Sequence, residues 1–194
     1  MNKKILVIAL GAAVTATIGV AQAARPTFYA GGDIIRVTTK IDDKNNVPPD
    51  VSGSAKAITL RLKGGVRLLE WLDAEVHIVL PQSETYSNAG GANMVETTVI
   101  GLFAKPYVNV GPVNIYALAG LARTNVSFDG NIIGSAIKSD LAYGAGVQYV
   151  FTKSISASAD YTHYLKTNLP LVFSAGGLDV NVNAIGVGVT YTFK

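Results

Sequence analysis

The feature that most constrains this chain is a two-residue alternation of apolar and polar side chains. It recurs in segments of roughly ten residues, separated by stretches rich in Gly, Asn, Asp, Pro and Ser. Between Ile58 and Leu68, for example, apolar side chains and glycine occupy one face, whereas the other carries Arg61, Lys63 and Arg67. Side chains of a β-strand point alternately to opposite sides. The pattern therefore predicts strands whose two faces meet different environments.

The alternation marks eight segments, at about 27–39, 56–68, 71–80, 95–108, 113–125, 140–151, 155–166 and 180–193. The connections after strands 2, 4 and 6 are tight. Those after strands 1, 3, 5 and 7 are long and polar, giving loops of roughly 12–16 residues at about 40–55, 81–94, 126–139 and 167–179. Because Pro106 cannot donate to a ladder, strand 4 is expected to stop early or to bulge there. Short turns at one end and long loops at the other predict an all-β, eight-stranded antiparallel up-and-down transmembrane β-barrel.

The first residues have the pattern of an export signal. Lys3 and Lys4 precede an apolar stretch, and Ala21-Gln22-Ala23 fits the small-x-small cleavage rule. We therefore expect a cleaved signal peptide at 1–23 and one barrel domain at 24–194. The chain has no cysteine, which excludes a disulfide scaffold and a thiol nucleophile.

The direction of the two faces distinguishes a soluble barrel from a membrane barrel. A soluble barrel turns its apolar face inward, and a membrane barrel turns it outward. Export favours the membrane barrel, as do the Gly, Ala, Ser and Thr on the polar face, which suit a narrow eight-strand interior. Aromatic residues also lie near strand ends at apolar positions, as an interface girdle requires: Phe28, Tyr149, Tyr161, Tyr191 and Phe193.

Three short stretches carry a resemblance to a known family: 27–32 (TFYAGG), 141–149 (LAYGAGVQY) followed by 154–161, and the ending 189–193 (VTYTF). They resemble the small outer-membrane β-barrel family of Gram-negative bacteria, which is related to the OmpA transmembrane domain. The resemblance implies a monomer in the cell outer membrane with both termini on the periplasmic side. It also implies contacts with outer-membrane lipids and lipopolysaccharide. Tyr191 and Phe193 match the C-terminal signal read by the barrel assembly machinery, although Lys194 follows the aromatic residue that normally ends it.

The polar face predicts an ionic cluster inside the barrel. Pairing strands 2 and 3 about a turn near Glu70 places Arg67 opposite Asp73 and Lys63 opposite His77. Charges removed from water need partners. We expect one interior cluster, formed by Asp33, Arg61, Lys63, Arg67, Asp73, Glu75, His77 and Asp160.

These features favour a non-enzymatic protein with a structural or surface-interaction role, its interior plugged by ion pairs. The alternative is a small low-conductance channel for ions or small solutes. A lipid A-modifying enzyme is disfavoured because His163-Tyr164-Leu165 lacks the His-x-Ser pair of a lipid A deacylase, and no serine is spaced to act with His77. No catalytic, cofactor-binding or metal-ligating residues are predicted, and a net charge of +3 points to no nucleic-acid partner.

Overall fold

Eight antiparallel strands pair in chain order, and β1 closes the ring on β8, in a computed structural model of the chain. The structure describes residues 27–43, 53–88, 91–129, 134–169 and 178–193. The signal peptide predicted at 1–23 lies outside them. Within the described residues, no helix is long and apolar enough to cross a membrane. The strands are β1 (Phe28–Asp43), β2 (Gly53–Leu69), β3 (Leu72–Asn88), β4 (Gly91–Val110), β5 (Val113–Asp129), β6 (Gly134–Val150), β7 (Ile155–Leu169) and β8 (Leu178–Thr192).

The apolar face of the strands lies outside the barrel, as predicted. Ile58 is 76% exposed and Leu141 is 71% exposed, whereas Arg61 and His77 on the opposite face are fully buried. These outward-facing apolar side chains form a band around the barrel that suits contact with lipid rather than with water, and we call it the apolar belt. The aromatic residues predicted near strand ends all point outward within or beside this belt.

The two ends of the barrel differ. The tight turns at 70–71, 111–112 and 151–154 lie at the same end as the start of β1 and the end of β8, and we call this the turn end. The opposite end is the loop end. Gly111 has a φ of 61° at the first position of its two-residue turn, and Pro112 follows it. A type II′ hairpin needs a positive φ at that position, which glycine adopts without strain.

At the loop end the strands run further than predicted. β3 and β4 remain paired up to Asn88 and Gly91, so the long loop expected at 81–94 is wrong. β5 and β6 likewise pair up to Phe128 and Gly134, inside the predicted loop at 126–139. The reason is local: these polar segments still contain the Val, Thr, Tyr and Phe residues that favour strands, so the hairpins continue past the apolar belt.

Strand β4 neither stops early nor bulges at Pro106. It alternates without interruption, with Lys105 buried inside and Pro106 outside. The irregularity lies in β3 instead, where the register with β4 shifts between Val79 and Gln82. That shift contains the exposed Pro81, and a bulge is a place where a strand tolerates a residue without an N–H donor.

The ring of backbone pairs is complete only in the part nearer the turn end. The β2–β3 pairs stop at Arg61↔Val79, and the β6–β7 pairs stop at Tyr143↔His163. Beyond these points the described strands form two four-stranded leaves: β7-β8-β1-β2 is the first leaf, and β3-β4-β5-β6 is the second leaf. Side chains bridge the two seams, because Thr59 Oγ1 donates to the Leu80 carbonyl (3.3 Å) and the Lys166 amide donates to Asp140 Oδ2 (3.0 Å).

The barrel interior is divided in the same way. Its middle is ionic, and the space between the two leaves is filled by an apolar layer of buried side chains. The first leaf contributes Ile35, Val37, Ala55, Leu165, Val180, Val182 and Ala184, and the second contributes Val79, Val99, Ala122 and Ala142. Phe103 and Leu118 belong to the same buried cluster but lie on the closed part of the ring, where Phe103 is opposite Glu75 and Leu118 is opposite Gly144.

The apolar belt makes a direct prediction about outward charge. Leu102→Arg is expected to lower the free energy of unfolding in lipid vesicles by about 2–4 kcal/mol, because a cation would enter the apolar belt. Thr98→Arg is the control on the same face of β4, beyond the belt, with an expected cost of about 0–1 kcal/mol. Guanidinium titration of the refolded proteins measures both values. Equal costs would mean that this face does not contact lipid.

Candidate functional site

Arg61 is the centre of the interior network. It projects from β2, is fully buried, and lies between carboxylates from two other strands. Its Nε donates to Asp33 Oδ2 of β1 at 2.7 Å, and its Nη2 donates to Asp160 Oδ2 of β7 at 2.6 Å. The planar guanidinium offers several donors in a fixed fork, so a single side chain can join both carboxylates.

Lys63 extends this part of the network toward the turn end. Its Nζ lies 2.8 Å from Asp33 Oδ1 and donates to Ser158 Oγ at 2.7 Å. Asp33 therefore binds two cations of the neighbouring strand, one through each of its oxygens.

Glu75 is the centre of a second group on the facing wall. Its Oε2 accepts hydrogen bonds from Tyr29 OH (2.7 Å) and Lys105 Nζ (2.8 Å), and its Oε1 lies 2.7 Å from His77 Nε2. Lys105 also lies 4.4 Å from the centre of the Tyr116 ring, a cation–π arrangement.

Tyr164 connects the two groups. Arg61 Nη1 lies 3.1 Å from the Tyr164 hydroxyl oxygen, which lies 3.1 Å from His77 Nδ1. Because an ionised Glu75 can only accept, His77 carries a hydrogen on Nε2. With a neutral His77, Nδ1 is an acceptor, so the Tyr164 hydroxyl donates to Nδ1 while its oxygen accepts from Arg61. One chain of hydrogen bonds therefore runs across the barrel from Arg61 through Tyr164 and His77 to Glu75.

The charges inside the barrel balance. The buried cations are Arg61, Lys63 and Lys105, and the carboxylates that they contact are Asp33, Glu75 and Asp160. These three cations and three carboxylates, together with the buried Asp73 and its partner Arg67, leave no net charge when His77 is neutral. An uncompensated charge in such a place would be strongly destabilising, so the balance matters more than any single pair.

Arg67 and Asp73 stand apart from the buried centre. Arg67 Nε lies 3.5 Å from Asp73 Oδ1, and the Arg67 side chain is 47% exposed. Arg67 lines a cavity of about 580 Å³ that also contacts Tyr107, Asn114 and Gln148 at the turn end. Arg67 therefore belongs to a polar vestibule at the turn end, whereas its partner Asp73 is buried.

Glycines leave room for the network. A Cβ at position 188 of β8 would collide with Asp33 Oδ1, and one at position 146 of β6 would meet the Tyr116 ring. The small residues predicted for the polar face thus allow large side chains from other strands to fill the interior.

Six of the eight residues predicted to form one cluster are joined in the buried network: Asp33, Arg61, Lys63, Glu75, His77 and Asp160. Arg67 and Asp73 form a separate pair, because the Arg67 side chain is half-exposed at the turn end. The predicted register is also observed, with Arg67 opposite Asp73 and Lys63 opposite His77. Sequence reasoning missed six participants: Tyr29, Lys105, Tyr116, Ser158, Thr162 and Tyr164. The alternation of faces along each strand could have identified some of them, since Tyr29 shares a face with Asp33, and Tyr164 shares a face with Asp160.

The remaining candidate residues lie elsewhere. His163 is on the outer side, where its Nδ1 lies 2.6 Å from Asn183 Oδ1 and its ring packs against Tyr143. Tyr191 and Phe193 point outward at the turn end and contact each other, and their role in assembly stays a prediction. Among the described residues, no group of three or more His, Asp or Glu side chains could hold a metal ion.

Comparison with known proteins identifies the family. Residues 5–193 match the family described as outer membrane protein beta-barrel domain. The chain belongs to this family. Its apolar belt therefore lies in the outer membrane. No curated protein sequence matches the chain significantly.

Solved structures share the barrel fold at low sequence identity. Neisserial surface protein A is 20% identical, with a TM-score of 0.59 over 86% of this chain and 97% of that one. OprG from Pseudomonas aeruginosa is 14% identical, with a TM-score of 0.61 over 86% and 95%. AlkL, solved in lipid bilayers, is 17% identical, with a TM-score of 0.63 over 91% and 94%. These likenesses establish the fold alone.

Removing the central cation is expected to be costly. Arg61→Met should lower the free energy of unfolding by about 3–5 kcal/mol, because Asp33 and Asp160 lose a counter-charge where water is excluded. Arg123→Gln is the control, because Arg123 is an exposed, outward cation of β5 with no place in the network, and we expect a change within about 0.5 kcal/mol. Both are measured by guanidinium titration in vesicles, and similar losses would refute the central position of Arg61.

The space that Gly188 leaves for the Asp33 side chain can be tested separately by substitution. Gly188→Ala is expected to destabilise the barrel by about 1–3 kcal/mol, because the added methyl group displaces Asp33. Gly32→Ala is the control: the nearest atom to its added Cβ is 4.0 Å away, so we expect a change within about 0.5 kcal/mol. Midpoints of denaturant unfolding measure the difference, and a neutral Gly188→Ala would contradict the close packing around Asp33.

Proposed function

We propose that this barrel is a sealed, non-enzymatic component of the outer membrane, with a structural and surface-interaction role. The observation that carries the proposal is the balanced ion-pair network, which fills the middle of the lumen with buried side chains from six of the eight strands. In this proposal the loop end faces the cell exterior, because the strands extend past the apolar belt there and the connections after β1 and β7 are the longest between strands. Barrels of this class carry their longer connections on the outside.

The apolar layer supports a second barrier in series with the first. Between the leaves, Val79, Val99, Ala122 and Val182 are each no more than 2% exposed. An ion that passed the network would have to shed its hydration shell among these side chains, at a large desolvation cost. An ion-pair network followed by an apolar layer favours a sealed barrel over a polar pathway.

A small channel is the second candidate, because the ionic cluster itself is polar and continues into the vestibule at the turn end. In that case Arg61 and Lys63 would line a gated pathway. Enzymatic action on lipid is less compatible with the geometry. His77 is fully buried, and both of its ring nitrogens have partners in Glu75 and Tyr164.

Planar-bilayer recording of the refolded chain tests the proposal. We expect heat-modifiable gel mobility, which reports the folded barrel, together with no discrete current steps. Arg61→Met, once shown to be folded by the same gel assay, should leak as much as the unaltered chain or more, since removing part of a plug cannot close it. Discrete steps in the unaltered chain that disappear in Arg61→Met would overturn the sealed barrel in favour of the channel.

An acyl-modifying activity has its own test. Incubation of the folded barrel with lipid A, followed by mass spectrometry of the lipid, is expected to show no change. Conversion that is lost in folded His77→Ala or His163→Ala would contradict the non-enzymatic proposal.

A further inference from the structure

The polar vestibule at the turn end is an open cavity that the buried network does not fill. Its volume is about 580 Å³. Sites for small molecules commonly enclose about 300–1,000 Å³, so the vestibule is large enough to be one. Toward the middle of the barrel it ends where Lys63 of β2 and Lys105 of β4 are buried. A molecule that enters from the turn end therefore stops at the network.

Three carboxamide side chains form a row along one wall of the vestibule. Asn109 of β4 pairs with Asn114 of β5, which pairs with Gln148 of β6, and all three line the cavity. Gln148 is held in place, since its Nε2 donates to Ser156 Oγ at 2.5 Å. A carboxamide offers both N–H donors and an acceptor oxygen, which complement the N–H and C=O of a peptide group. We call these three residues the carboxamide row.

Two charges of opposite sign stand at the rim, on either side of the carboxamide row. Glu70 lies in the β2–β3 turn and Lys153 in the β6–β7 turn, and both line the cavity. Neither forms a salt bridge with another residue that the structure describes. Because β2 and β6 are four strands apart in a ring of eight, the two charges lie on opposite sides of the entrance.

The remaining charge of the vestibule is already compensated. Arg67 Nε lies 3.5 Å from Asp73 Oδ1, and the Arg67 guanidinium lies 5.5 Å from the centre of the Tyr107 ring. The vestibule therefore offers one unpaired anion and one unpaired cation, separated by a row of groups that can hydrogen-bond to amides.

We propose that the vestibule binds a short peptide with both ends free, about two or three residues long, which is the size that a small-molecule cavity holds. Its ammonium group contacts Glu70, its carboxylate contacts Lys153, and its peptide groups hydrogen-bond to the carboxamide row. A neutral saccharide could use the carboxamide row but would leave both charges without partners. A simple anion would use Lys153 alone and would be repelled by Glu70. That the peptide comes from the periplasm rests on the proposed direction of the barrel, in which the turn end faces inward.

The test is a solution-NMR titration of the isotope-labelled full chain, refolded in detergent, with trialanine and two blocked forms, N-acetyl-trialanine and trialanine amide. We expect trialanine to cause saturable shifts of the backbone amide signals of Asn109, Asn114 and Gln148. Acetylation removes the ammonium charge and amidation removes the carboxylate charge, so each is expected to weaken binding several-fold.

Charge-neutral variants assign each end of the peptide. E70Q should weaken trialanine binding several-fold and abolish the effect of acetylation, because the ammonium group then has no partner. K153Q should weaken it likewise and abolish the effect of amidation. E96Q and K138Q remove exposed charges nearer the loop end and are the matched controls, with all three affinities unchanged. All variants are first shown to be folded by heat-modifiable mobility.

The absence of saturable shifts in the vestibule would overturn the proposal, and so would losses in E96Q or K138Q equal to those in E70Q or K153Q, which would indicate only general charge. Equal binding of N-acetyl-trialanine and trialanine would also overturn it, since the ligand would then be the C-terminus of a longer chain. Tighter binding of the disaccharide trehalose than of trialanine would replace the peptide with a saccharide. Failure here is distinct from failure of the sealed barrel, which is read from current rather than from bound peptide.

Discussion

Every charge that points into this barrel has to be neutralised inside it, and the rest of the interior follows from that constraint. Eight strands enclose too little space for bulk water, so Arg61 relies on Asp33 and Asp160, which come from separate strands. Those contacts require large side chains to cross the lumen, and glycines such as Gly188 make the crossing possible. Because the interior is polar, the apolar side chains that a soluble protein would bury lie on the outward face, where they form the apolar belt.

The interior also shows why one barrel can combine a continuous wall with two leaves. In the half nearer the turn end, the ladders run unbroken around the ring, so no strand edge there is left without partners in hydrocarbon. Toward the loop end the β2–β3 and β6–β7 ladders end, and they do so beside Ile58 and Leu141 of the apolar belt. Hydrogen bonds from Thr59 and to Asp140 bridge these seams, and apolar side chains from the two leaves pack face to face, as in a β-sandwich.

Much of this could be predicted from period-two alternation alone. The tight turn at 70–71 fixed the register of β2 and β3, so the opposition of Arg67 and Asp73 could be calculated. Contacts across the lumen could not be calculated, because alternation assigns a face but not a partner on a distant strand; the Tyr164–His77 contact is of this kind. Strand ends were also missed at the loop end, where polar composition suggested loops although local β-propensity continued the hairpins.

The two seams have a consequence for how the barrel comes apart. A strand edge held by one side-chain bond, such as that from the Lys166 amide to Asp140, resists opening far less than a continuous ladder does. We therefore expect the leaves to open more readily than the closed ring nearer the turn end. Backbone amides along the seams should exchange with solvent without global unfolding, whereas those of the closed ring should exchange only when the whole ring opens. Substitutions in the leaves are then expected to have little effect on membrane insertion, so the sequence of this part of the barrel can vary more freely.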